Sequence, residues 1–504
     1  MGAAEGKENR PPYLMIAILF FGAFITILNN SLLNVALPSM MADLNIENYG
    51  TIQWLVTGFM LTGGVLMPLS GFLLVRFTNR SLYILAMSLF TLGTLISALA
   101  PNFGFLLAGR IIQAAGSSVM GPLLMNIMLV SFPREKRGSV MGVFGLVMIA
   151  GPAIGPTLSG YIVQCYDWRF LFEMILPFAA LNLALAVWKL KNVMGTRPAT
   201  LDIPSVLLSA FGFGGLLYGC SEASTAGWND PFVYGPIGAG ALALAVFAAR
   251  QLKLSDPLLD LRVYRYPMFA LSSVIMIIVS ASMFSGMILT PAYVQNVRGI
   301  SPLESGLLML PGALIMGAMS PVTGRLFDKF GPRMLAITGL AVTAVSTWML
   351  SRLEIDSSYY HIMLVYAVRM LGMSMVMMPV MTNGMNQLPT RLNPYGTAVN
   401  NTLQQVAGSI GTAVFVTMMN NHARASAVEL MAGIDPASAG AEQIAHLTRQ
   451  ALLDGIQFSF LAATGVTVAA LILSLFMKRV DVSPEAVARL EREDRAAAAK
   501  PEPN

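Results

Sequence analysis

Fourteen apolar stretches, each near the roughly 20 residues a helix needs to cross a bilayer, leave this chain few ways to fold. Their approximate cores are 13–37, 51–75, 81–100, 104–130, 138–164, 169–189, 203–221, 232–249, 268–294, 303–323, 334–351, 360–385, 397–420 and 456–477. Lipid offers a backbone no hydrogen-bonding partner, so each span must satisfy its own N–H and C=O groups, which a helix does. Composition agrees: 55% of the residues are hydrophobic and 11% are charged, against about 25% charged in a soluble domain. The expected fold class is an all-α membrane protein.

An even number of spans puts both termini on one side, and the basic residues decide which. Of the 31 lysines and arginines, 24 fall on the terminal side, Arg76, Arg80 and Arg333 among them, and five on the opposite loops. The positive-inside rule then predicts cytoplasmic termini. The net charge of +5 reports this orientation and implies no nucleic acid. The polar start runs directly into an apolar run from Tyr13 to about Pro38, too long for a signal-peptide core, so it is expected to stay as a span.

Enzyme classes lack their parts. There is no phosphate loop, nucleophile elbow or HExxH helix. Cys165, Cys220 and three scattered histidines suggest neither a disulfide framework nor a metal site. No cofactor is implied.

An internal repeat explains the helix count. Gly71 to Ile84 aligns with Gly324 to Ile337 at an offset of 253 residues. The intramembrane arginines Arg110 and Arg369 are 259 apart, each followed by a glycine and a proline, Gly116 and Pro122 or Gly372 and Pro379. The offset leaves room for two further helices between the repeats. The predicted division is an N-terminal six-helix bundle over 1–190, two inserted transmembrane helices in 200–250, a C-terminal six-helix bundle over 262–480 and a tail over 481–504.

Buried charge points to chemistry, because a charged side chain at the bilayer centre costs about 2.5–3.5 kcal/mol on insertion scales and faces a polar interior. Arg110, with Gln113 at i+3 on the same helical face, is the first candidate. Among acids, Glu173 lies just inside its span beside Phe172, Ile175 and Leu176, whose burial would raise its pKa, while Arg169 at i−4 would lower it. Glu222 and Asp202, near the ends of the first inserted helix, are weaker candidates for proton coupling. Trp54 and Tyr293, with the neighbouring amides Gln53 and Gln295, are candidate substrate contacts. Within 138–164, Gly151, Pro152, Gly155, Pro156 and Gly160 predict a bent helix that lets another backbone come close.

These patterns together resemble the fourteen-helix drug:proton antiporter family of the major facilitator superfamily. The resemblance rests on Leu28 to Pro38 with Asn29, Asn30 and Asn34, on Gln53-Trp54, on Arg110 to Gly116, on the Gly145–Gly160 stretch, on Trp168-Arg169-Phe170, on Tyr293 to Gln295, and on Asn400-Asn401 with Gln404-Gln405. It implies a major facilitator fold, two six-helix bundles plus two extra transmembrane helices, that exports drugs or other amphipathic small molecules in exchange for protons by alternating access. The Gly-Pro stretch would form a hinge or seal between the halves, and the helix 1, 2, 4 and 13 amides would face substrate. The repeated loop would carry a latch: Asp328 with Arg333 in the second copy, and Arg76 and Arg80 without an acid in the first, where Val75 stands. Asn29 occupies a position where many relatives carry aspartate, so it would bond without titrating. The implied partners are the lipid bilayer, a small-molecule substrate and protons, with a periplasmic adaptor if the host has an outer membrane. A passive facilitator, an exporter of one metabolite and a membrane ligand sensor are the alternative readings.

Overall fold

The computed structural model describes residues 13–46, 49–198, 200–254, 257–432 and 441–498, and all regular structure among them is helical. The first helices are α1 (Tyr13–Asp43), α2 (Tyr49–Leu66), α3 (Leu69–Arg76), α4 (Asn79–Ala98), α5 (Phe103–Ser131), α6 (Arg137–Cys165) and α7 (Phe170–Lys189). Next come α8 (Ile203–Ala226) and α9 (Pro231–Lys253). They are followed by α10 (Pro267–Ala292), α11 (Pro302–Phe330), α12 (Pro332–Leu350), α13 (Tyr359–Ser374), α14 (Met377–Asn386), α15 (Asn393–Met431), α16 (Ala441–Ser474) and α17 (Pro484–Ala498).

Side chains and prolines set the ends. The Asn102 side chain accepts from the Phe105 N–H and starts α5; Ser301 and Glu304 form a capping box on α11. Pro68 separates α2 from α3, which bend by 54°. Pro379 has no N–H to return to Met375, and α13 gives way to α14 at that point. In α6 the bend expected at Pro152 and Pro156 does not interrupt the helix, which is assigned without a break over 29 residues.

Twelve described helical segments are long and apolar enough to span a membrane, and the bent α2–α3 pair makes thirteen. The stretch expected to complete fourteen lies in α15, whose 39 residues carry a mean hydropathy too low for that set. Asn393, Thr397 and Asn400, one helical stripe, are 0%, 0% and 2% exposed. The polar groups of α15 therefore face protein, and they lower the hydropathy of a helix that is enclosed by its neighbours.

Helices α1 to α7 pack mainly on one another, as do α10 to α16. The groups meet along α6 and α11 on one side and along α15 with α3 and α5 on the other. Helix α8 lies against both α2 and α15, where Trp54 meets Tyr218 with ring centroids 6.0 Å apart and Trp228 Nε1 donates to Thr417 Oγ1 at 2.8 Å. Helix α8 thus covers that second seam, and α9 packs on α8. We call the end holding the loops at 131–137 and 386–393 the basic end.

Candidate functional site

Arg110 is 0% exposed, and α5 aims it at α1 and α2. Its Nη1 donates to Asn29 Oδ1 at 3.0 Å and Gln113 Oε1 at 2.9 Å, its Nη2 to Asn30 Oδ1 at 3.0 Å, and its Nε to the Leu55 carbonyl at 3.4 Å. Gln113 Nε2 donates in turn to Thr94 Oγ1 at 2.8 Å on α4, and the Phe59 ring covers the guanidinium at 4.3 Å. Four helices are tied to one cation, and all its hydrogen-bond acceptors are neutral oxygens. Asn29 fills the bonding role expected of it.

The second helix group repeats the arrangement with different atoms. Arg369, also 0% exposed, donates through Nε to Thr347 Oγ1 at 3.1 Å and through Nη2 to the Ser282 carbonyl at 2.6 Å. Thr347 and Ser282 follow Thr94 and Asn29 at the repeat offset of 253. Gly286 makes the room, because a Cβ there would meet the guanidinium.

The other expected substrate residues divide. Asn400 is buried, and Gln404 Nε2 lies 3.7 Å from Met381 Sδ, a contact of α15 with α14 inside the second helix group. Trp54 is half-buried against α8. Tyr293 goes elsewhere: it is 0% exposed in an apolar core at the end of α10, with its hydroxyl donating to the Glu354 carbonyl at 2.6 Å, and Gln295 lies in the same turn. The aromatic ring is used there to pack a loop, not to line a central cavity. The side chains of Asn34, Gln53 and Pro156 lie outside the described residues.

The acids are placed differently from expectation. Glu173 is exposed, while Phe172 and Ile175 are 1% and 2% exposed on another face of α7, so the apolar enclosure predicted for the carboxylate is not formed. Arg169 turns from it to Asp43, at 2.8 Å, and Trp168 Nε1 reaches the same oxygen at 3.1 Å. Asp202 caps α8 and takes both Arg250 Nε and Nη2, at 2.7 and 2.8 Å. The Arg250 and Ser205 hydrogen bonds hold its carboxyl far below the usual carboxylate range, so it stays ionised at neutral pH and does not suit proton carriage. Glu222 is half-buried on α8.

The closest approach of the two groups is made by glycines the sequence reading did not single out. A Cβ on Gly142 would strike the Ser320 carbonyl and lie 2.8 Å from Pro321 Cα; one on Gly138 would lie 2.7 Å from the Gly324 carbonyl. Gly160 faces Leu303 at the far end of the same antiparallel contact. Gly151 and Gly155 instead face α1, where their Cβ atoms would lie 2.9 Å from the Leu28 nitrogen and 2.6 Å from Ser31 Cβ. Gly151 and Gly155 therefore pack within one group, while Gly145 and Gly160 face the other; Pro152 is half-buried.

Polar contacts close the basic end. Asp328 accepts from the Gly138 N–H at 3.1 Å, the Ser139 N–H at 3.0 Å and Ser139 Oγ at 2.6 Å, so a carboxylate of α11 sits on the positive N-terminus of α6. Arg134 donates to the carbonyls of Asn386 at 2.7 Å and Leu388 at 2.9 Å, at the negative end of α14, and Arg137 to Asn386 Oδ1 at 3.2 Å. Arg333 is exposed and is not the partner of Asp328; Arg479 instead donates to the Asp328 carbonyl at 2.7 Å. Arg76 is exposed, and Arg80 donates to the Val187 carbonyl at 2.7 Å, within its own group. Where the first copy has Val75, Arg197 of the following linker supplies the bridge: its N–H donates to the Val75 carbonyl at 3.1 Å and its Nη2 to the Tyr395 hydroxyl at 3.0 Å.

The asymmetry gives a direct expectation. Asp328→Asn removes a charge from a helix N-terminus worth about 0.3–2 kcal/mol, so the closed basic end loses about two- to thirtyfold in population. Val75→Ala changes it little. Initial transport rates of the two variants at matched membrane abundance check this; equal rates would remove Asp328 from the gate.

Two repeated helix groups thus meet along a glycine-lined seam with polar contacts at one end, each holding a buried, tethered arginine, in an all-helical fold of membrane-spanning length. The chain belongs to the Major Facilitator Superfamily, whose family model matches residues 19–412. It is 45% identical to the uncharacterized MFS-type transporter YhcA of Bacillus subtilis (strain 168), with 98% of each chain covered. It is 43% identical to the lincomycin resistance protein LmrB of the same organism, covering 95% of this chain and 98% of that one. A double-tryptophan mutant of XylE has a similar fold, with a TM-score of 0.63 at 16% identity over 95% of this chain and 99% of the other. The protein is a multi-pass membrane transporter and not an enzyme.

Proposed function

We propose that this transporter exports drugs or other amphipathic small molecules in exchange for protons, by alternating access. The observation that carries the reading is the seal at the basic end, a set of single hydrogen bonds and glycine contacts between two repeated helix groups that can separate as units. The name of the lincomycin resistance relatives supports a drug as cargo. In this reading α15 is a span, its polar stripe packed against neighbouring helices, which makes fourteen; both termini and the basic end are cytoplasmic. Residues 1–190 and 262–480 form the two moving bundles, and 200–250 the inserted pair. Asn29, Asn30, Gln113, Trp54, Asn400 and Gln404 receive the cargo. Arg110 and Glu222 carry the coupling, in preference to the exposed Glu173 and the ion-paired Asp202.

Everted membrane vesicles with an inward-acid pH gradient are expected to accumulate lincomycin, and an uncoupler to abolish the accumulation. Glu222→Gln should stop uphill transport while sparing substrate binding, since glutamine keeps the shape and exchanges no proton. Accumulation that ignores the uncoupler contradicts proton exchange.

A further inference from the structure

The tail is not a bystander to the basic end. The chain leaves α16 and is held by Asn383, whose Nδ2 donates to the Lys478 carbonyl at 3.1 Å and whose Oδ1 accepts from the Val480 N–H at 3.2 Å. Helix α17 then crosses to the loop between α5 and α6. Ala486, Val487, Leu490 and Glu491 are its half-buried positions, one side of the helix. Glu491 Oε1 accepts from the Thr390 N–H at 2.9 Å and Thr390 Oγ1 at 2.8 Å, and Arg134 Nη2 lies 3.7 Å from the same oxygen. Two hydrogen bonds from Thr390 of one helix group and an ion-pair contact from Arg134 of the other thus converge on one carboxylate oxygen.

Beside this oxygen is a cavity of about 340 Å³ walled by Phe132, Arg134, Arg137, Thr390, Val482 and Val487. Arg134 and Arg137 are 7% and 4% exposed. Arg137 spends Nη1 on an amide oxygen and Nη2 on the Leu129 carbonyl, and its Nε has no partner. Of the two buried guanidiniums, Arg134 is the one placed against the tail's carboxylate; Glu135, the acid on the cavity wall, is exposed on the rim. Buried charges are stable when paired, and guanidinium groups match oxyanions with several acceptor oxygens.

We propose that Arg134, Arg137 and Thr390 form a binding site for a phosphate-type oxyanion, and that Glu491 of α17 occupies it in cis and competes with that ligand. The valines and Phe132 give the cavity an apolar wall, which fits a phosphate carrying an alkyl chain, the headgroup of an anionic phospholipid in the adjoining leaflet; a free phosphate shares the same chemistry. Ligand binding displaces Glu491, frees α17 and removes one of the contacts between the two helix groups.

The test uses the full chain in neutral detergent, titrated with phosphatidylglycerol or phosphatidylcholine and read by native mass spectrometry, with a parallel arm in millimolar inorganic phosphate. One phosphatidylglycerol should be retained selectively. Glu491→Gln should tighten its binding about tenfold by removing the competing charge, and Arg137→Gln should weaken it about tenfold, the effect of one charge-assisted hydrogen bond. Inorganic phosphate that displaces the lipid and follows the same pattern across the variants supports the site with a soluble ligand as its source. Equal retention of the two lipids together with no phosphate effect overturns the proposal. So does an affinity unchanged in Glu491→Gln, a half-exposed position whose variant decides the matter even if Arg137→Gln fails to fold.

Discussion

Gly142→Leu abolishes transport while leaving the protein inserted in the membrane. The side chain would be driven into the Ser320 carbonyl and Pro321 Cα of α11, backbone atoms that cannot rotate away. Overpacking costs about 1–3 kcal/mol, and because the clash exists only while α6 and α11 are together, nearly all of it falls on the closed basic end. That shifts the conformational equilibrium about 5- to 150-fold towards the open form. Gly155→Leu meets Ser31 of α1 within one helix group, so it strains both conformations and is expected to lower the amount of folded protein more than it shifts the equilibrium. Accessibility of the α6–α11 seam to a thiol reagent from the side of the basic end, compared for the two variants, separates these effects.

The second large effect is at Arg110. Arg110→Gln leaves buried Asn29, Gln113 and the Leu55 carbonyl, and half-buried Asn30, to find new donors. A buried polar group left unpaired costs about 1–3 kcal/mol, so a drop in transport of about tenfold or more is expected. Arg110→Lys should rescue little, because an ammonium is a point charge and cannot span acceptors on α1, α2 and its own helix at once. Uptake rates with membrane abundance measured alongside check this; a fully active lysine variant would show that charge alone matters.

What could be read from the sequence follows from what each partner is. Arg110 with Gln113 was legible because i and i+3 share a helical face, and Asn29 because the amide pattern of α1 marks it. Asp328 stood out in the repeated loop, but its partners are the N–H groups of Gly138 and Ser139, and the partners of Arg134 are carbonyls. Backbone atoms are present at every position, so residue identity does not flag them. Glu173 misled because adjacent residues on a helix point about 100° apart: Phe172 and Ile175 are buried on a face that the carboxylate does not share. The Gly-Pro stretch correctly marked α6 as a close-packed helix, yet only the tertiary arrangement tells which glycines meet α1 and which meet α11. Arg197 carried no signal at all, since it lies in a linker and acts through Tyr395, 198 residues further on.

The most direct test of alternating access at this seam is to replace its latch with a reducible bond. Ser139→Cys with Asp328→Cys puts one thiol at the place of Ser139 Oγ and the other at that of Asp328 Cγ, one bond back from the carboxylate oxygen that stands 2.6 Å from Ser139 Oγ, in a background with Cys165 and Cys220 changed to serine. The account predicts no transport while the disulfide is formed and, on reduction of the same sample, recovery to the rate of a protein lacking the Asp328 carboxylate. Continued transport by quantitatively cross-linked protein would contradict it.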